Sequence, residues 1–370
     1  MKTSDFDYHL PPELIAQAPV EPRDASRLLV IHRDVGQLEH RTFRDIAGYL
    51  RPGDLLVLNQ TRVIPARLFG RKAKTGGKIE LLLLERHDEC TWEALVRGKG
   101  LRAGIQFEIQ AGVRKQRSIR GTEGSGGRGA EVRQFPIVAT IVAETESGGR
   151  LVRFEEPVGP LLDELGEVPL PPYIHEPLAD PERYQTIFGR IEGSVAASTA
   201  GLHFTPDLMV DLRRMGVEMA FITLHIGLDT FRPVKEPEVE THQIHTEWYE
   251  LTAQVAEQIN RAKLEGRRVV AVGTTVVRAL ESAAGSCARE DEACAWRAVS
   301  AYAGPTDLFI YPGYRFRIVE AMITNFHLPR STLLLLVSAF AGRDLILRAY
   351  QEAIDRRYRF FSFGDAMLLL

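Results

Sequence analysis

Two runs combine small residues with histidines and hydroxyls: Gly193-Ser194-Val195-Ala196-Ala197-Ser198-Thr199-Ala200-Gly201-Leu202-His203-Phe204-Thr205 and Thr223-Leu224-His225-Ile226-Gly227-Leu228-Asp229-Thr230-Phe231-Arg232-Pro233. Imidazole is the side chain whose ordinary pKa lies nearest neutrality, so His203 and His225 are the candidates for general acid and base. The plainer alternative is a structural histidine bonded to a nearby carbonyl, and spacing alone does not choose. The first run carries almost no side-chain volume before Leu202. That predicts a loop that fills no core and lets backbone N–H groups, at Thr199 and Gly201 among others, approach a ligand. Gly227 plays the same part in the second run. Thr230 and Arg232 suit a carboxylate or hydroxyl, the guanidinium bidentately, against the alternative of a surface ion pair.

Other candidates lie at strand ends. Gly273-Thr274-Thr275 follows a short apolar run and opens a helix, a place where free backbone N–H groups take a carboxylate, although such a turn also serves as plain punctuation. Asn325-Phe326-His327 follows another apolar run. Asn59, Thr61 and Arg62 come just after Leu55-Leu56-Val57-Leu58 and suit ribose or RNA contact. Tyr173 and Phe204 could stack on a base, though aromatics in such settings more often fill cores. Thr241-His242-Gln243-Ile244-His245-Thr246-Glu247 offers metal-ligand types at a spacing that fits neither a zincin helix nor a facial triad. It reads as a solvated helix start, and no metal is expected.

The elements that must position these residues fall into two patterns. From Val63 to Glu156 the apolar runs are short and rich in strand formers: Ile79 to Leu84, Trp92 to Val96, Ile105 to Ile109, Pro136 to Val142 and Leu151 to Phe154. Closely spaced strands of this kind predict a small antiparallel barrel, with glycine-rich Gly121 to Gly129 as a hairpin tip. After Pro160, strands alternate with helices. Val217 to Leu224 and Val269 to Val272 read as strands. Thr205-Pro206 starts a helix that Gly216 stops, Val276 to Ala284 and Leu333 to Phe340 read as helices, and Trp248, Leu251, Val255, Ile259 and Ala262 predict one amphipathic helix over Thr246 to Glu265. The expected architecture is a layered α/β domain with a largely parallel sheet, residues 1–63 and 160–370, interrupted by an inserted barrel domain, residues 64–159. Ligands of such sheets sit at the carboxyl ends of the strands, where His225, Gly273 and Asn325 would converge.

Composition sets limits on function. The 370 residues exceed one typical core, and 45% hydrophobic with 26% charged residues is the profile of a globular, water-soluble chain. The start shows no apolar signal region and Leu333 to Val337 is too short to span a bilayer, so a cytoplasmic protein with no membrane partner is expected. Three cysteines, Cys90, Cys287 and Cys294, form no close pair and read as spectators. The net charge of −3 is unevenly spread: Arg62 to Arg120 holds 14 Lys and Arg against 6 Asp and Glu, a local +8. Arg71, Lys72, Lys74, Arg97 and Lys99, with Lys78, Arg102 and Arg114-Lys115-Gln116-Arg117, suit a phosphate backbone. A solvated basic face is the even alternative.

These residues carry a resemblance. Tyr8-His9-Leu10-Pro11, Ile15-Ala16-Gln17, Asn59-Gln60-Thr61-Arg62-Val63-Ile64-Pro65-Ala66-Arg67, Gly76-Gly77-Lys78-Ile79-Glu80, the two small-residue loops, Gly273-Thr274-Thr275 and Thr324-Asn325-Phe326-His327-Leu328-Pro329 together resemble the S-adenosylmethionine:tRNA ribosyltransferase-isomerases of queuosine biosynthesis. The likeness spans essentially the whole chain. It departs at Ala196-Ala197-Ser198-Thr199, where the family usually reads Ala-Ala-Pro-Thr. The resemblance implies an α/β domain with an inserted barrel, and no metal or true cofactor. It also implies S-adenosylmethionine as a substrate that gives up its ribosyl unit, with 7-aminomethyl-7-deazaguanine at the wobble position of tRNA as acceptor. The implied course is proton removal from the sulfonium-activated ribosyl portion, expulsion of adenine, then amine attack and epoxide closure to epoxyqueuosine, with methionine released. A monomer is expected. An ordinary methyltransferase is disfavoured by the lack of a GxGxG-type turn after an early strand, and a non-catalytic RNA-binding protein would leave the histidine loops without a use.

Overall fold

The computed structural model describes residues 1–110, 136–145, 148–227, 233–290 and 297–370, the side chains of 286–290 excepted. Thr230, Arg232, the Gly121 to Gly129 stretch, Arg114, Lys115, Arg117, Cys294 and the side chain of Cys287 therefore lie outside the described residues. The chain forms two compact units, Met1–Arg62 with Pro171–Leu370, and Val63–Leu170.

The first unit begins with the strands β1 (Arg27–His32), β2 (Gln37–Thr42), β3 (Leu55–Asn59) and the short β4 (Thr61–Val63). The second unit then supplies β5 (Arg67–Lys72), β6 (Lys78–Arg86), β7 (Thr91–Arg97), β8 (Gln106–Gln110), β9 (Ile137–Glu144) and β10 (Arg150–Phe154). These six close into an antiparallel barrel in the order β10-β7-β6-β5-β8-β9. Period-two alternation sends Leu81, Leu83, Ala94, Phe107, Ile109, Ala139, Ile141 and Val152 inward, all with no exposure. The sequence pattern missed β5 because one of its two buried inward positions is Gly70, which leaves Leu68 as the strand's lone apolar inward signal.

The first unit resumes with β11 (Ile191–Ser194), helix α1 (Pro206–Arg214), β12 (Glu218–Leu224), β13 (Glu247–Leu251), α2 (Ala253–Leu264), β14 (Val269–Val272), α3 (Thr274–Glu290), β15 (Tyr302–Thr306), β16 (Ala321–Asn325), α4 (Thr332–Ala341), α5 (Arg343–Asp355) and β17 (Ala366–Leu369). Among the described residues nine strands form one sheet in the order β15-β13-β12-β3-β14-β16-β17-β1-β2. Its central four, β12, β3, β14 and β16, are mutually parallel, while β13 and β17 run against them on either side. Alternate residues of each central strand feed two cores: Leu55, Val57, Val269 and Ala271 pack with α2 to α5, and Leu56, Leu58, Val270 and Val272 with Phe43, Ile46 and α1. Burial on both faces is why these strands read as unbroken apolar runs.

One expected helix is corrected. Glu247-Trp248-Tyr249-Glu250-Leu251 is not the first turn of a helix but strand β13, paired with β12 and β15, and α2 begins only at Ala253, with the Thr252 hydroxyl accepting from Val255 N–H. The apolar steps of three and four happened to coincide with the period-two alternation of Glu247, Tyr249 and Leu251, which are the buried positions.

Candidate functional site

The carboxyl ends of β14 and β16 bring Gly273-Thr274-Thr275 and Thr324-Asn325-Phe326-His327-Leu328 to one pocket. Ala197-Ser198-Thr199-Ala200, Ile226, Tyr173, Leu333 and Phe361-Ser362 complete its wall. No Asp, Glu, Lys or Arg is among these described lining residues. The pocket is therefore built for a neutral, largely apolar portion of a ligand. At Gly273 φ is +97°, and a Cβ there would stand 3.3 Å from Ser198 Oγ, so glycine lets the β14–α3 turn close on the Ser198 loop.

The first small-residue loop is buried, contrary to the expectation that it fills no core. Val195, Ala196, Ala197, Ala200 and Leu202 are all buried, because a narrow gap against the sheet admits only small side chains. Gly201 is wedged against Thr186 and Phe188. Phe204 is fully buried between Phe43 and Phe188 in the core, which corrects its reading as a base-stacking platform.

His203 and Asn325 form one hydrogen-bonded chain whose proton positions follow from the partners. Asn325 Nδ2 lies 3.1 Å from the Phe361 carbonyl oxygen, an acceptor only, so that atom is the amide nitrogen. The same nitrogen lies 3.1 Å from His203 Nε2, which must accept. The proton of a neutral imidazole then sits on Nδ1 and is donated to Ser26 Oγ at 2.7 Å. Burial, with the Arg359 and Arg23 guanidiniums adding to it, depresses the His203 pKa to about 3. Neutral and bonded at both nitrogens, His203 lies outside the pocket wall, behind Asn325. Asn325 spends both its N–H bonds on these contacts, which leaves Oδ1 buried without a partner. Ser198 Oγ is likewise buried and unpartnered.

His327 shares the wall. Its Nε2 meets Thr324 Oγ1 at 2.9 Å, its backbone N–H donates to Tyr350 Oη, its carbonyl accepts from Tyr8 Oη, and burial again lowers its pKa to about 3. Tyr173 Oη bonds Ser362 Oγ at 2.7 Å, and burial raises its pKa. His225, one residue before pocket-lining Ile226, is half-buried and stacks on Trp248 with centroids 5.6 Å apart. A Cβ at Gly193 would fall 2.6 Å from the imidazole, so the ring seats directly on that glycine. Its Nδ1 is buried without a partner, and desolvation lowers its pKa.

The structure spends other candidates on joining loops. Asn59 donates to the Leu224 carbonyl at 2.9 Å and its Oδ1 accepts from the N–H groups of Leu224 and Thr61. Thr61 Oγ1 accepts from Ser194 Oγ, which in turn accepts from Ile226 N–H. This network ties the ends of β3 and β12 beneath the pocket loops. Arg62 pairs with Glu182 at the surface. Gly227 N–H donates to Glu247 Oε1, whose other oxygen holds Arg278 at 2.5 Å in a pair almost wholly buried, with His245 3.2 Å away.

In the barrel unit Arg71 and Lys72 lie on β5, Arg97 ends β7, and Lys72 reaches the segment that carries Lys99. Lys72 Nζ donates to the Lys99 and Gly100 carbonyls, Arg71 to that of Gly76, and β5 sets Arg71 directly opposite Lys78. Glu85, His87 and Glu93 in the same unit place ligand-type atoms within 4.8 Å of one another, a grouping of two exposed residues and one half-buried one.

The pattern missed Thr324, Phe361 and Ser362. Phe361 holds φ of +69°, rare for a bulky residue. The available signal was the run Phe360-Phe361-Ser362-Phe363-Gly364, too aromatic for a surface turn.

The sequence matches the profile of a family described as queuosine biosynthesis protein over residues 3–369. Over the full length of both chains it is 54% identical to an S-adenosylmethionine:tRNA ribosyltransferase-isomerase of Moorella thermoacetica and 50% identical to one of Thermotoga maritima. A crystal structure of S-adenosylmethionine tRNA ribosyltransferase from Thermotoga maritima is similar with a TM-score of 0.53 at 42% identity, covering 99% of this chain and 100% of that one.

Proposed function

The chain belongs to the queuosine biosynthesis protein family, and from that premise we propose that it is a transferase-isomerase acting on tRNA. It moves and isomerises the ribosyl moiety of S-adenosylmethionine onto 7-aminomethyl-7-deazaguanine at the wobble position of tRNA, giving epoxyqueuosine and releasing adenine and methionine. S-adenosylmethionine is consumed as a substrate, and no further cofactor or metal enters. The reading takes the protein as a cytoplasmic monomer. No helix among the described residues is long and apolar enough to cross a membrane.

The observation that carries this reading is the pocket at the strand ends, uncharged among its described lining residues yet holding two buried polar atoms, Asn325 Oδ1 and Ser198 Oγ, without protein partners. Buried polar groups are normally satisfied, so such a pair calls for a polar edge on an otherwise flat, apolar ligand. The nucleoside end of S-adenosylmethionine has that character. Apolar walls exclude water there, which the chemistry needs while the sulfonium provides its own activation. His225 is the histidine suited to proton removal: desolvation lowers its pKa and so favours the unprotonated ring, and its Nδ1 has no partner, whereas both ring nitrogens of His203 are committed. The basic end of the barrel supplies phosphate contacts for the tRNA.

Incubation with labelled S-adenosylmethionine and tRNA carrying the precursor base tests the proposal. Adenine and methionine are the expected products; S-adenosylhomocysteine would mean methyl transfer, and no turnover would leave RNA binding alone. The acid limb of the rate profile should lie below pH 6.5, because the His225 pKa is lowered from its ordinary value.

A further inference from the structure

The Asn325 amide is oriented by two acceptors that take both of its N–H bonds, the Phe361 carbonyl and His203 Nε2, each at 3.1 Å. An asparagine free at both ends would grip adenine in a bidentate manner through N6 and N7. Here the nitrogen is committed, so Asn325 offers only Oδ1, a pure acceptor, 2% exposed as a residue and without a protein partner.

We propose that Asn325 Oδ1 accepts a hydrogen bond from the exocyclic amine of the adenine of S-adenosylmethionine, and that His203 is a positioning residue that holds Asn325 in this orientation rather than a proton-transfer group. The inference rests on the reading of the pocket as the S-adenosylmethionine site.

Three observations select the adenine amine from the donors that ligand carries. The ammonium of the methionyl end would call for a carboxylate, and none lies among the described lining residues. A ribose hydroxyl needs no oriented acceptor, because it turns to donate or accept as its partner requires. The walls beside Asn325 are those of a flat apolar body, with Phe361, Phe326, Ile226, Leu328 and Leu333 in the lining. Ser198 Oγ then supplies a hydroxyl donor for a ring nitrogen of the same base. His203 serves as the fixed end of the chain. Its Nδ1–H is anchored on Ser26 Oγ, its ring stacks on Phe43 with centroids 4.9 Å apart, and burial beside Arg359 and Arg23 keeps it from taking the second proton that would repel Asn325 Nδ2. A proton-transfer histidine needs a free nitrogen facing the substrate. His203 has none, since Nδ1 is spent on Ser26 and Nε2 on Asn325.

The test compares binding of S-adenosylmethionine with its 6-oxo analogue, in which the amine is replaced by a carbonyl, to the full-length protein by titration calorimetry. Wild type should prefer the amine by at least about tenfold, since the analogue sets two acceptors face to face and leaves both unsatisfied. Asn325→Leu should weaken S-adenosylmethionine binding and shrink the preference to within about threefold. His203→Gln keeps an acceptor for Asn325 Nδ2 but has no titratable group, so it should retain the preference, turn over within about fivefold of wild type, and show the wild-type pH profile. His203→Leu should lose the preference as Asn325 swings free. Equal binding of the two ligands by wild type overturns the proposal without recourse to any variant that might not fold. A His203→Gln protein that binds normally yet loses about 10²- to 10⁴-fold in kcat would return His203 to proton transfer. If S-adenosylmethionine does not bind the wild-type protein at all, the functional reading itself fails, which is distinct from binding without discrimination.

Discussion

The pocket of the first unit and the basic end of the barrel use polar side chains in opposite ways. Around the pocket Asn325, His327, Thr324, Tyr173 and Ser362 are bonded to one another or to neighbours, and the buried atoms left over are Asn325 Oδ1 and Ser198 Oγ, with His225 Nδ1 close by in sequence. On the barrel Arg71, Lys74, Arg97 and Lys99 are exposed, so any contribution to the proposed tRNA contact would come from summed charge rather than from one geometry. On the proposed reading, position would carry the function in the first region and field in the second. A substitution should therefore disturb fold and chemistry together near the pocket, and affect only association at the barrel.

The largest expected effect is at Arg278. Replacing it with Met leaves Glu247 buried and uncompensated, 3 Å-class contacts to Gly227 and His245 notwithstanding, and should cost about 3–5 kcal/mol in urea unfolding. Replacing both partners by apolar residues of similar volume should recover most of that loss; a single mutant with an unchanged midpoint would break the contrast between the regions.

A smaller effect comes from the histidines. His203 and His327 titrate near 6.5 when unfolded but near 3 when folded, so below pH 6.5 the unfolded chain binds more protons and stability falls as pH drops toward 3. Each contributes a slope of at most about 1.4 kcal/mol per pH unit within that window and nothing above it. Unfolding of wild type and His203→Gln at pH 7.5, 6 and 5 should diverge progressively, wild type losing more; parallel curves would mean that His203 is not held neutral.

Ser198 has φ of −71°, within proline's range. Ser198→Pro should therefore raise stability by about 0.4–1 kcal/mol through the unfolded state, while removing a hydroxyl from the pocket. A lower melting temperature would show that the Ser198 backbone N–H is needed.

The smallest effect on folding belongs to the barrel. Lys74→Ala should change stability by less than about 0.5 kcal/mol, yet reduce the salt dependence of tRNA binding by about one unit of log–log slope and leave S-adenosylmethionine affinity unchanged. Wild-type tRNA affinity with an unaltered slope would reduce the cluster to a solvated face.

The contrast also explains what could be read from the chain. The basic cluster was legible because charge adds along a sequence, and the central strands because burial on both faces leaves an apolar run. The turns at Gly273 and Asn325 were legible because they directly follow such runs. His203 was not, since its burial is decided by Phe43, Ser26 and Asn325, distant in sequence, while its neighbours Gly201 and Ala200 look like loop. Phe361-Ser362 was hidden for the same reason: its place in the wall depends on a left-handed backbone that no periodicity announces. At β13, two periods fitted the same apolar residues and only the sheet partners decided between them.

Strand β17, 366–369, lies between β16 and β1 and is paired on both sides, parallel to β1 and antiparallel to β16. It is the last of the nine strands to leave the ribosome, and until it arrives the hairpin of β1 and β2, among the first segments made, has no seat in the sheet. Ser26, which anchors His203, immediately precedes β1, and Asn325 ends β16. The two halves of the pocket's hydrogen-bonded chain are thus joined only when the last strand locks in. The pairing of β17 with β1 is of long sequence separation, the kind of contact that slows folding. Loss of β17 would remove the strand that joins β1 to β16, and with it the seat that holds Ser26 and Asn325 on either side of His203.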